Sequence, residues 1–439
     1  MAMKRVAVVG AGIAGLAAAR SLARTARVTL YEAGDHFGGH THTVDVTLGG
    51  RTHGVDTGFL VFNERSYPQL TALFAELGVA TAPADASFSA QIPSAGIEWS
   101  SSSAGAVFAQ RSNLLRPAFW NMLGEIVRFN RIANRLVQRG AGRDGAALDD
   151  GVGDFLDAHR FSSGFRDWYL LPLIAAMWSC PTGQMLRFPV ATLLRFCADH
   201  GLLQITGRPQ WRSVRGGAST YVDKMLDAIA DARLATAVRQ VRRLPIGGAE
   251  ISTARGSERF DAVVLACHSD HALALLADPS DEEREVLGAI RWQRNRAVLH
   301  SDTRVLPVHK AAWAAWNYER SGDPASSENA VCVHTLVNRL QPLPFETPVI
   351  VSLNPLFEPA SALVQGEFHY AHPLFDRRAV AAQARLPALQ GRGGTWYCGA
   401  WTGRGAHEDG LESALAVCSA LASTLARPAA PDSIAPARA

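Results

Sequence analysis

The sequence predicts an α/β fold, in which a doubly wound parallel sheet is assembled from separate parts of the chain and carries an inserted α+β domain. Three observations favour this fold. The chain opens with a strand, a glycine-rich turn, a helix and a second strand. Strongly apolar strand patterns return near residue 260 and again near residue 395. The 439 residues are also enough for two domains that share an interface.

The opening 32 residues form one predicted βαβ unit. Residues 5–9 and 28–31 have the apolar, β-branched pattern of buried parallel strands, and residues 13–23 are rich in alanine and leucine, as a helix is. Lys4 and Arg5 before an apolar stretch could be mistaken for a secretory signal. The three glycines at fixed spacing favour strand, turn and helix instead.

The rest of the chain adds further predicted elements. Residues 34–58 are rich in glycine and histidine and predict a loop-rich stretch. Helices are predicted over residues 67–77, 111–139 (interrupted near Pro117) and 220–230, and strands over 234–238, 241–244, 249–253 and 260–267. Residues 395–425 predict a last strand, turn and helix, and the tail from residue 427, rich in alanine and proline, is predicted to be disordered.

The motif Gly10-Ala11-Gly12-Ile13-Ala14-Gly15 stands between the first strand and the first helix. Gly10 allows a tight turn, Gly12 lets the backbone approach a pyrophosphate, and Gly15 lets the helix pack closely on the strand. Glu32 follows Gly10 by 22 residues and ends the second strand, where its carboxylate can accept hydrogen bonds from ribose hydroxyls. The pattern predicts a Rossmann-like dinucleotide site that includes Ala14; the alternative is a glycine-rich turn that binds no ligand.

Glu32 alone leaves NAD and FAD undecided, and the residues after it carry a resemblance that decides between them. Gly38-Gly39-His40 with Thr41, followed by Asp56-Thr57-Gly58, resembles the flavin-containing amine oxidase and phytoene desaturase superfamily, whose loop at this place lies along the FAD pyrophosphate. His40 stands where the superfamily usually has an arginine, and a neutral imidazole neutralises less phosphate charge than a guanidinium. The resemblance implies FAD as cofactor, bound in part by Gly38, Gly39, His40, Thr41 and Thr57.

Two distant segments extend this resemblance. Residues 234–241 resemble the strand pair whose valine backbone contacts adenine, here Val238, and residues 263–267 resemble a strand of the same sheet. Residues 397–400 and 407–414 resemble the C-terminal flavin motif, in which a helix N-terminus faces the flavin. Because Ala400 replaces an acidic residue common in the family, Glu408 or Asp409 is expected to bind the ribityl chain. The implied site residues of this last segment are Gly399, Ala400, Glu408, Gly410, Leu411 and Ser413.

Four further stretches are similar to a bacterial branch described as predicted NAD/FAD-binding, amine-oxidase-like proteins. They are residues 56–59, Asn63-Glu64-Arg65, 313–318 and 338–341. Members of that branch are associated with modification of fatty acyl chains, including methylated or cyclopropane types. The resemblance implies a hydrophobic small-molecule or acyl-lipid substrate.

The predicted domains follow from these segments. The FAD-binding domain takes residues 1–70, 206–275 and 389–426, and the inserted substrate domain takes residues 71–205 and 276–388. Residues 427–439 are the predicted disordered tail.

Two residues are candidates for catalysis. Amine oxidases often hold a lysine near the flavin N5 through a water, and Lys310, before the aromatic residues 313–318, could play this part. The alternative is a surface lysine. His372 belongs to Phe368-His369-Tyr370-Ala371-His372-Pro373, a predicted turn with two imidazoles and a phenol, which could serve as general acid or base. The alternative is a loop histidine bonded to backbone.

The histidines near the cofactor motifs raise two further questions. His36, His40, His42 and His53 lack a carboxylate or cysteine at ligand spacing, so no metal site is predicted. Covalent attachment of FAD through His40 or His42 is weighed against the interpretation as polar loop histidines near phosphate.

The composition indicates which classes of partner and which cellular compartment to expect. A net charge of +3 and the lack of a basic, aromatic-rich run argue against nucleic acid. Six scattered cysteines without a CxxC pair favour a reducing cytoplasm, and the longest further apolar run, 11 residues over 168–178, is short for a membrane span, so a soluble protein is expected. Residues 111–139 carry six arginines and one acid, which predicts either peripheral contact with the inner membrane face or a solvated basic face. No oligomeric state is predicted.

Three functions follow from these patterns. The first is a desaturase or dehydrogenase that acts on a hydrophobic acyl chain by hydride transfer to flavin N5, since the cofactor carries the hard chemistry. The second is an amine oxidase that releases hydrogen peroxide. The third is an FAD-dependent isomerase or a non-redox, lipid-binding flavoprotein.

Overall fold

The structure is a computed structural model that describes residues 3–140, 150–178, 182–204, 206–245, 247–320 and 331–425. The strands are β1 (Arg5–Val9), β2 (Arg27–Tyr31), β3 (Thr43–Leu48), β4 (Arg51–Asp56), β5 (Phe62–Asn63), β6 (Thr81–Ala84), β7 (Phe88–Ile92), β8 (Ile97–Ser100), β9 (Trp211–Val214), β10 (Asp231–Arg233), β11 (Val238–Arg243), β12 (Ala249–Thr253), β13 (Gly256–Phe260), β14 (Ala262–Leu265), β15 (Arg291–His300), β16 (Trp316–Glu319), β17 (Cys332–Leu336), β18 (Ile350–Leu353), β19 (Val364–Leu374) and β20 (Thr395–Tyr397). The α-helices are α1 (Ile13–Leu22), α2 (Pro68–Leu77), α3 (Ala104–Val107), α4 (Pro117–Gln138), α5 (Val152–Ala158), α6 (Ser163–Phe165), α7 (Leu171–Trp178), α8 (Thr182–Arg187), α9 (Val190–Asp199), α10 (Ser219–Leu226), α11 (Ser269–Leu275), α12 (Asp281–Leu287), α13 (Arg377–Arg385) and α14 (His407–Leu425).

A five-stranded parallel sheet in the order β10-β2-β1-β14-β20 draws its strands from three separate parts of the chain. Its strands are apolar on both faces, because helices cover both. Helices α1, α10 and α14 share the apolar core on one face, and α11, α12 and α13 share the core on the other. The predicted α/β, doubly wound fold is confirmed.

The second sheet has seven strands in the order β19-β15-β18-β17-β16-β7-β8, and all its pairs are antiparallel except β16 with β7. Helices α4 to α9 pack in one apolar core with its β7, β8 and β16 strands. This sheet and its helices form the inserted α+β part of the fold. Among the described helices, none combines the length and the apolar character that crossing a bilayer requires.

Three predictions of local structure were wrong. Residues 34–58 were predicted as loop, but β3 and β4 form an antiparallel hairpin there, since Val46 and Val55 are buried against the second sheet while polar residues alternate outward. Residues 368–373 were predicted as a turn, but they lie within β19, paired along its length with β15. The predicted strand over 234–238 is a turn between β10 and β11, and Ala235 there has a φ of 47°.

The domain boundaries stay predictions, but the packing of two helices bears on where the substrate domain begins and ends. Both ends of the predicted substrate segment 276–388, helices α12 and α13, pack in the core of the parallel sheet, with Val286 and Ala379 fully buried there. The predicted tail over 427–439 and Cys180 lie outside the described residues.

Candidate functional site

A cavity of about 810 Å³ separates the parallel sheet from the second sheet. The volume is in the range of small-molecule and cofactor sites. Three groups of residues line it. The dinucleotide side includes Gly10, Gly12, Ala14, Glu32, Gly38, Gly39, His40, Thr57, Val238, Gly399 and Ala400. The second sheet adds Trp316, Val333, Thr335, Val351, Leu353, Tyr370 and His372, and the helical layer adds Ala176, Met177, Trp178 and Phe196.

The glycines at the start of α1 shape one end of this cavity. A Cβ at Gly15 would lie 1.8 Å from the Gly10 carbonyl oxygen, so only glycine allows this helix to pack so closely on the turn. A Cβ at Gly12 would meet nothing within 4 Å, because it would project into open space. Gly12 is also the N-cap of α1 and provides no side-chain cap, so the first N–H groups of the helix are available to an anion.

Glu32 and Val238 lie at the neighbouring end of the cavity. The Glu32 carboxylate accepts hydrogen bonds from the backbone N–H groups of Ala11 and Gly34, both at 2.8 Å. These bonds hold the carboxylate at the C-terminal edge of β2, next to the glycine turn. Val238 begins β11 and lines the same end. The positions agree with those expected for a ribose-binding carboxylate and an adenine-contacting strand.

His40 is the most unusual residue of the cavity wall. Its Nε2 atom is buried and has no hydrogen-bond partner, while the ring donates to the backbone of Ala371. The imidazole lies 5.2 Å from the Tyr370 ring and 5.3 Å from the His372 ring, measured between centroids. Burial lowers the pKa of His40 to about 4, so the ring is neutral near pH 7. Most buried ring nitrogens in proteins have a hydrogen-bond partner, so this nitrogen is a candidate contact for a bound cofactor or water.

Two buried hydrogen-bond networks support the part of the cavity lining around His40. The Thr41 hydroxyl lies 2.6 Å from the Tyr221 hydroxyl and 3.0 Å from His407 Nε2, so Thr41 supports the wall without lining the cavity. His407 does line it and stacks on Phe59 at 3.8 Å. Sequence reasoning missed His407 as a site residue, although it begins α14 within the motif that was recognised.

The second network centres on Thr57. Its hydroxyl lies 2.6 Å from the Tyr370 hydroxyl and 3.3 Å from His42 Nδ1. Thr57 and Tyr370 line the cavity. His42 does not, and its ring stacks on His36 at 4.1 Å. Of the two histidines considered for covalent attachment of FAD, only His40 is therefore at the cavity.

The C-terminal motif divides into residues that line the cavity and residues that support it. Gly399 and Ala400 line it. Gly399 N–H donates to the Ser413 hydroxyl at 3.0 Å, and that hydroxyl donates to the Gly410 carbonyl at 2.8 Å, so Ser413 holds the turn instead of a cofactor. Leu411 is buried in the core beneath α14. Gly410, Leu411 and Ser413 thus lie outside the lining, and their expected role in cofactor binding stays a prediction.

Glu408 also has a role other than the expected one. Its buried carboxylate accepts hydrogen bonds from the backbone N–H groups of Gln69 at 2.6 Å and Leu70 at 3.0 Å. These groups belong to the first turn of α2, which has no side-chain cap of its own. Glu408 therefore caps α2 from 339 residues away. The acidic residue was expected to bind the ribityl chain, but its oxygens are used by this helix.

We expect Glu408→Ala to lower the free energy of unfolding by about 1 to 3 kcal/mol, because two buried N–H groups lose their acceptor. The dissociation constant for FAD should stay within about twofold of wild type, since the carboxylate does not face the cavity. Urea unfolding and FAD titration measure the two effects. Glu408→Gln, which keeps one acceptor oxygen, is the matched control and should lose less stability. A large loss of FAD affinity with unchanged stability would restore the ribityl role.

The two predicted catalytic residues lie in different places. Lys310 is exposed at the start of a 3₁₀ turn, and its Nζ lies 5.7 Å from the centre of the Trp313 ring, outside the cavity lining. The alternative interpretation, a surface lysine, therefore describes it. His372 lies on β19 and lines the cavity. Its Nδ1 accepts a hydrogen bond from Asn295 Nδ2 at 2.8 Å, and this bond leaves the proton of the neutral ring on Nε2.

Burial lowers the pKa of four imidazoles in the cavity lining. The pKa falls to about 4 for His40 and to about 3 for His268, His372 and His407. The neighbouring His40 ring adds to the effect at the other three. Their ordinary pKa in an unfolded chain is about 6.5. The unfolded state therefore binds more protons below that pH than the folded state does.

This difference predicts that stability contributed by each ring is present near pH 7 and is lost as the pH falls through about 6.5 toward 4. The loss should be on the order of 1 kcal/mol for each imidazole between pH 7 and pH 5. Urea unfolding of wild type and His372→Gln at both pH values measures it, because the variant should lose less on acidification. Carboxyls such as Asp56 change stability in the opposite direction on acidification, because burial raises the pKa of Asp56 to about 7. Their contribution is the same in both proteins and cancels when the two losses of stability are compared. Equal losses in both proteins would contradict the prediction.

Two other sets of side chains in the described residues bring metal-binding atoms within 4.8 Å of one another, namely His268–Asp270–His271 and Glu319–Cys332–His334. The His334 ring is bonded to Glu319 at 3.0 Å and to the Ser352 hydroxyl at 2.7 Å, so it is satisfied by protein groups. His268 stacks on Trp292 at 3.8 Å. The expectation of a protein without a metal stays a prediction.

The residues present fit FAD. The uncapped start of α1 with the open space at Gly12 suits a pyrophosphate, and Glu32 and Val238 suit the adenosine beside it. The lining then continues past Thr57 and His407 to the second sheet, where an isoalloxazine ring and a substrate can meet. The unpartnered His40 nitrogen lies between these two parts.

Comparisons with known proteins agree with this assignment. Residues 13–298, more than half of the chain, match the family described as flavin containing amine oxidoreductase. No curated protein sequence gives a significant match. Three similar solved structures are a fatty acid isomerase from P. acnes that produces CLA (TM-score 0.67, 16% identity, 95% of this chain and 98% of that chain covered), putrescine oxidase bound to putrescine (0.66, 16%, 96% and 99%) and cyclohexylamine oxidase from Brevibacterium oxydans (0.65, 15%, 96% and 100%). The chain therefore belongs to the flavin-containing amine oxidoreductase family and is an FAD-dependent oxidoreductase.

Proposed function

We propose that the protein is a dehydrogenase or desaturase of a hydrophobic, fatty-acyl substrate. The fold alone leaves the substrate class open, because it serves both a fatty acid isomerase and oxidases of amines. The observation that carries the proposal is the chemistry of the cavity wall beyond the dinucleotide side.

That wall is apolar. Its members from the second sheet and the helical layer are mostly aliphatic and aromatic side chains, with Thr335 and the two residues Tyr370 and His372 as polar exceptions. Such a surface binds methylene groups by removing them from water, at roughly 0.8 kcal/mol for each buried CH₂. An alkyl chain of several carbons is the ligand that uses this surface best.

The charges at the cavity argue against an ammonium substrate. Glu32 is the one carboxylate among the described lining residues, and it lies at the adenosine end with both oxygens already bonded. Arg404 is the one lining residue with a permanent positive charge, and its guanidinium also contacts Asp199 at 2.7 Å. The pairing with Asp199 offsets much of the Arg404 charge, so what argues against an ammonium group is the lack of a free carboxylate in the described lining.

Desaturation removes a hydride and a proton from adjacent carbons. FAD, when bound, supplies the group that accepts the hydride and its two electrons. The apolar wall holds the alkyl chain and excludes water. His40 Nε2 is unprotonated and has no hydrogen-bond partner among the described residues, which makes His40 a candidate to take the proton, whereas His372 presents an N–H and can only donate.

The test is anaerobic mixing of the FAD-loaded protein with acyl substrates (free fatty acids and phospholipids) and with primary amines and diamines. Bleaching of the flavin absorbance by acyl substrates, with a product that lacks two hydrogen atoms, is the expected result. Bleaching by amines alone would contradict the proposal and identify an amine oxidase. A double bond that moves with no net loss of hydrogen would identify an isomerase.

A further inference from the structure

Four of the exposed apolar side chains of the protein lie together, and we name them the docking patch: Leu114, Leu115, Trp120 and Val308. Their exposed fractions are 42%, 86%, 50% and 85%. Single exposed apolar residues are common, whereas a group of large ones marks an interaction surface.

Hydrogen bonds to one residue, Glu98, hold the two parts of the docking patch side by side. The Asn113 side chain donates to the Glu98 carbonyl at 2.9 Å, and the Val308 N–H donates to the Glu98 carboxylate at 3.1 Å. Trp120 Nε1 in turn donates to the Leu114 carbonyl at 3.0 Å. The 3₁₀ turn before α4 and the loop at Val308 are thereby fixed next to β8.

The core beneath the docking patch is complete without it. Phe119 is fully buried, and Phe108 packs against both Phe119 and Trp120, with ring centres 5.9 Å and 5.1 Å away. The exposure of Leu115 is therefore not a gap in core packing. It is an outward projection of apolar side chains from a well-packed base.

Cations without acidic partners accompany the docking patch. Lys310 and Arg111 adjoin it in sequence, and Arg131 and Arg135 continue the exposed stripe of α4 that begins at Trp120 and Val127. Among the described residues, none of these four cations makes an ion pair, and Glu125, the one acid of α4, is buried. The surface is thus apolar at one end and positive around it.

This arrangement corrects the basic face that was predicted for the same helix. Arg128 is one of the six arginines on which that prediction was based. In the structure its guanidinium donates to Glu125 and to the His159 and Arg160 carbonyls, and it lies 4.1 Å from the centre of the Phe161 ring. Arg128 therefore belongs to the internal packing of the helix.

We propose that the docking patch inserts into the headgroup region of an anionic lipid bilayer, with Lys310, Arg111, Arg131 and Arg135 above the phosphates. Apolar anchors with surrounding cations are the combination that binds such an interface. Self-association through the patch is disfavoured, because a stable dimer interface takes about 20 to 30 residues a side and the same cations would face each other. The inference does not depend on the proposed substrate.

Co-sedimentation of the FAD-loaded protein with vesicles tests the docking patch. Binding to phosphatidylcholine vesicles that contain phosphatidylglycerol should exceed binding to phosphatidylcholine alone, and should fall as salt is added. The double variant Leu115→Glu, Val308→Glu should bind at least about tenfold more weakly. Arg131→Gln and Arg135→Gln should each weaken binding about fivefold to the anionic vesicles only.

The matched control is Leu356→Glu, Phe357→Glu, which changes two apolar residues of 42% and 40% exposure on another surface and should bind like wild type. FAD content and thermal unfolding show whether each variant is folded. Weak binding of wild type to anionic vesicles, or equal losses in the two double variants, would overturn the proposal. A dimer that Leu115→Glu, Val308→Glu converts to a monomer, without vesicle binding by wild type, would overturn it in favour of a protein interface.

Discussion

Gly15→Ala is expected to abolish FAD binding and to lower the free energy of unfolding by more than about 3 kcal/mol. The new Cβ would lie 1.8 Å from the Gly10 carbonyl oxygen and 3.3 Å from the Ala266 Cβ. Both neighbours belong to the turn and the strand that carry the site, so relief of the clash requires α1 to move off the sheet. Flavin absorbance after purification and urea unfolding measure the two losses.

Gly12→Ala separates the two effects. Its Cβ would meet no protein atom within 4 Å, so the FAD-free protein should unfold at the same urea concentration as wild type. The methyl group would occupy the space that a pyrophosphate needs, and FAD affinity should fall at least about tenfold. Gly124→Ala, on α4 and also free of contacts, is the control and should leave FAD affinity unchanged. Wild-type FAD affinity in Gly12→Ala would place the pyrophosphate elsewhere.

Ala176→Phe is expected to slow flavin reduction by acyl substrates at least about 100-fold, with FAD retained. Ala176 lies on α7 and lines the cavity on the side of the helical layer. A benzyl group there would fill space that the proposed alkyl chain uses. Misplacement of a substrate by about 1 Å already costs roughly 100-fold in rate. Anaerobic stopped-flow absorbance at the flavin band gives the rate.

The control for this variant is Ala416→Phe, an exposed position of α14, which should reduce at the wild-type rate. Reduction of Ala176→Phe by a short-chain substrate at near wild-type rate would still agree with a long apolar site. Unchanged reduction by long acyl chains would show that the chain does not pass Ala176 and would contradict the proposed substrate path.

Features with local causes could be predicted from the sequence. The glycine turn, α1 and Glu32 lie within 23 consecutive residues, and their roles depend on backbone geometry that the residue types themselves demand. The residue pattern was therefore enough to place Gly12 and Glu32 at the cavity.

Features that depend on contacts between distant parts of the chain could not be predicted from the sequence. Glu408 lies inside a recognised flavin motif, yet its carboxylate is used by a helix 339 residues earlier in the chain. Residues 368–373 have turn-like composition, but pairing with β15 keeps them extended. Lys310 has a suitable neighbourhood in sequence, and only the path of the chain after β15 shows that it lies on the outside. In each case a tertiary contact overrides the local pattern.

The three-part origin of the parallel sheet has a consequence for how the protein is made. The central strand β1 pairs with β14, which follows it by more than 250 residues. Helix α1 shares its apolar core with α14, which is later still in the sequence. Synthesis must therefore have passed α14 before the pyrophosphate end and the flavin end of the site exist together. We therefore expect FAD to load only after α14 has been synthesised, and nonsense mutations anywhere before α14 should leave a colourless protein.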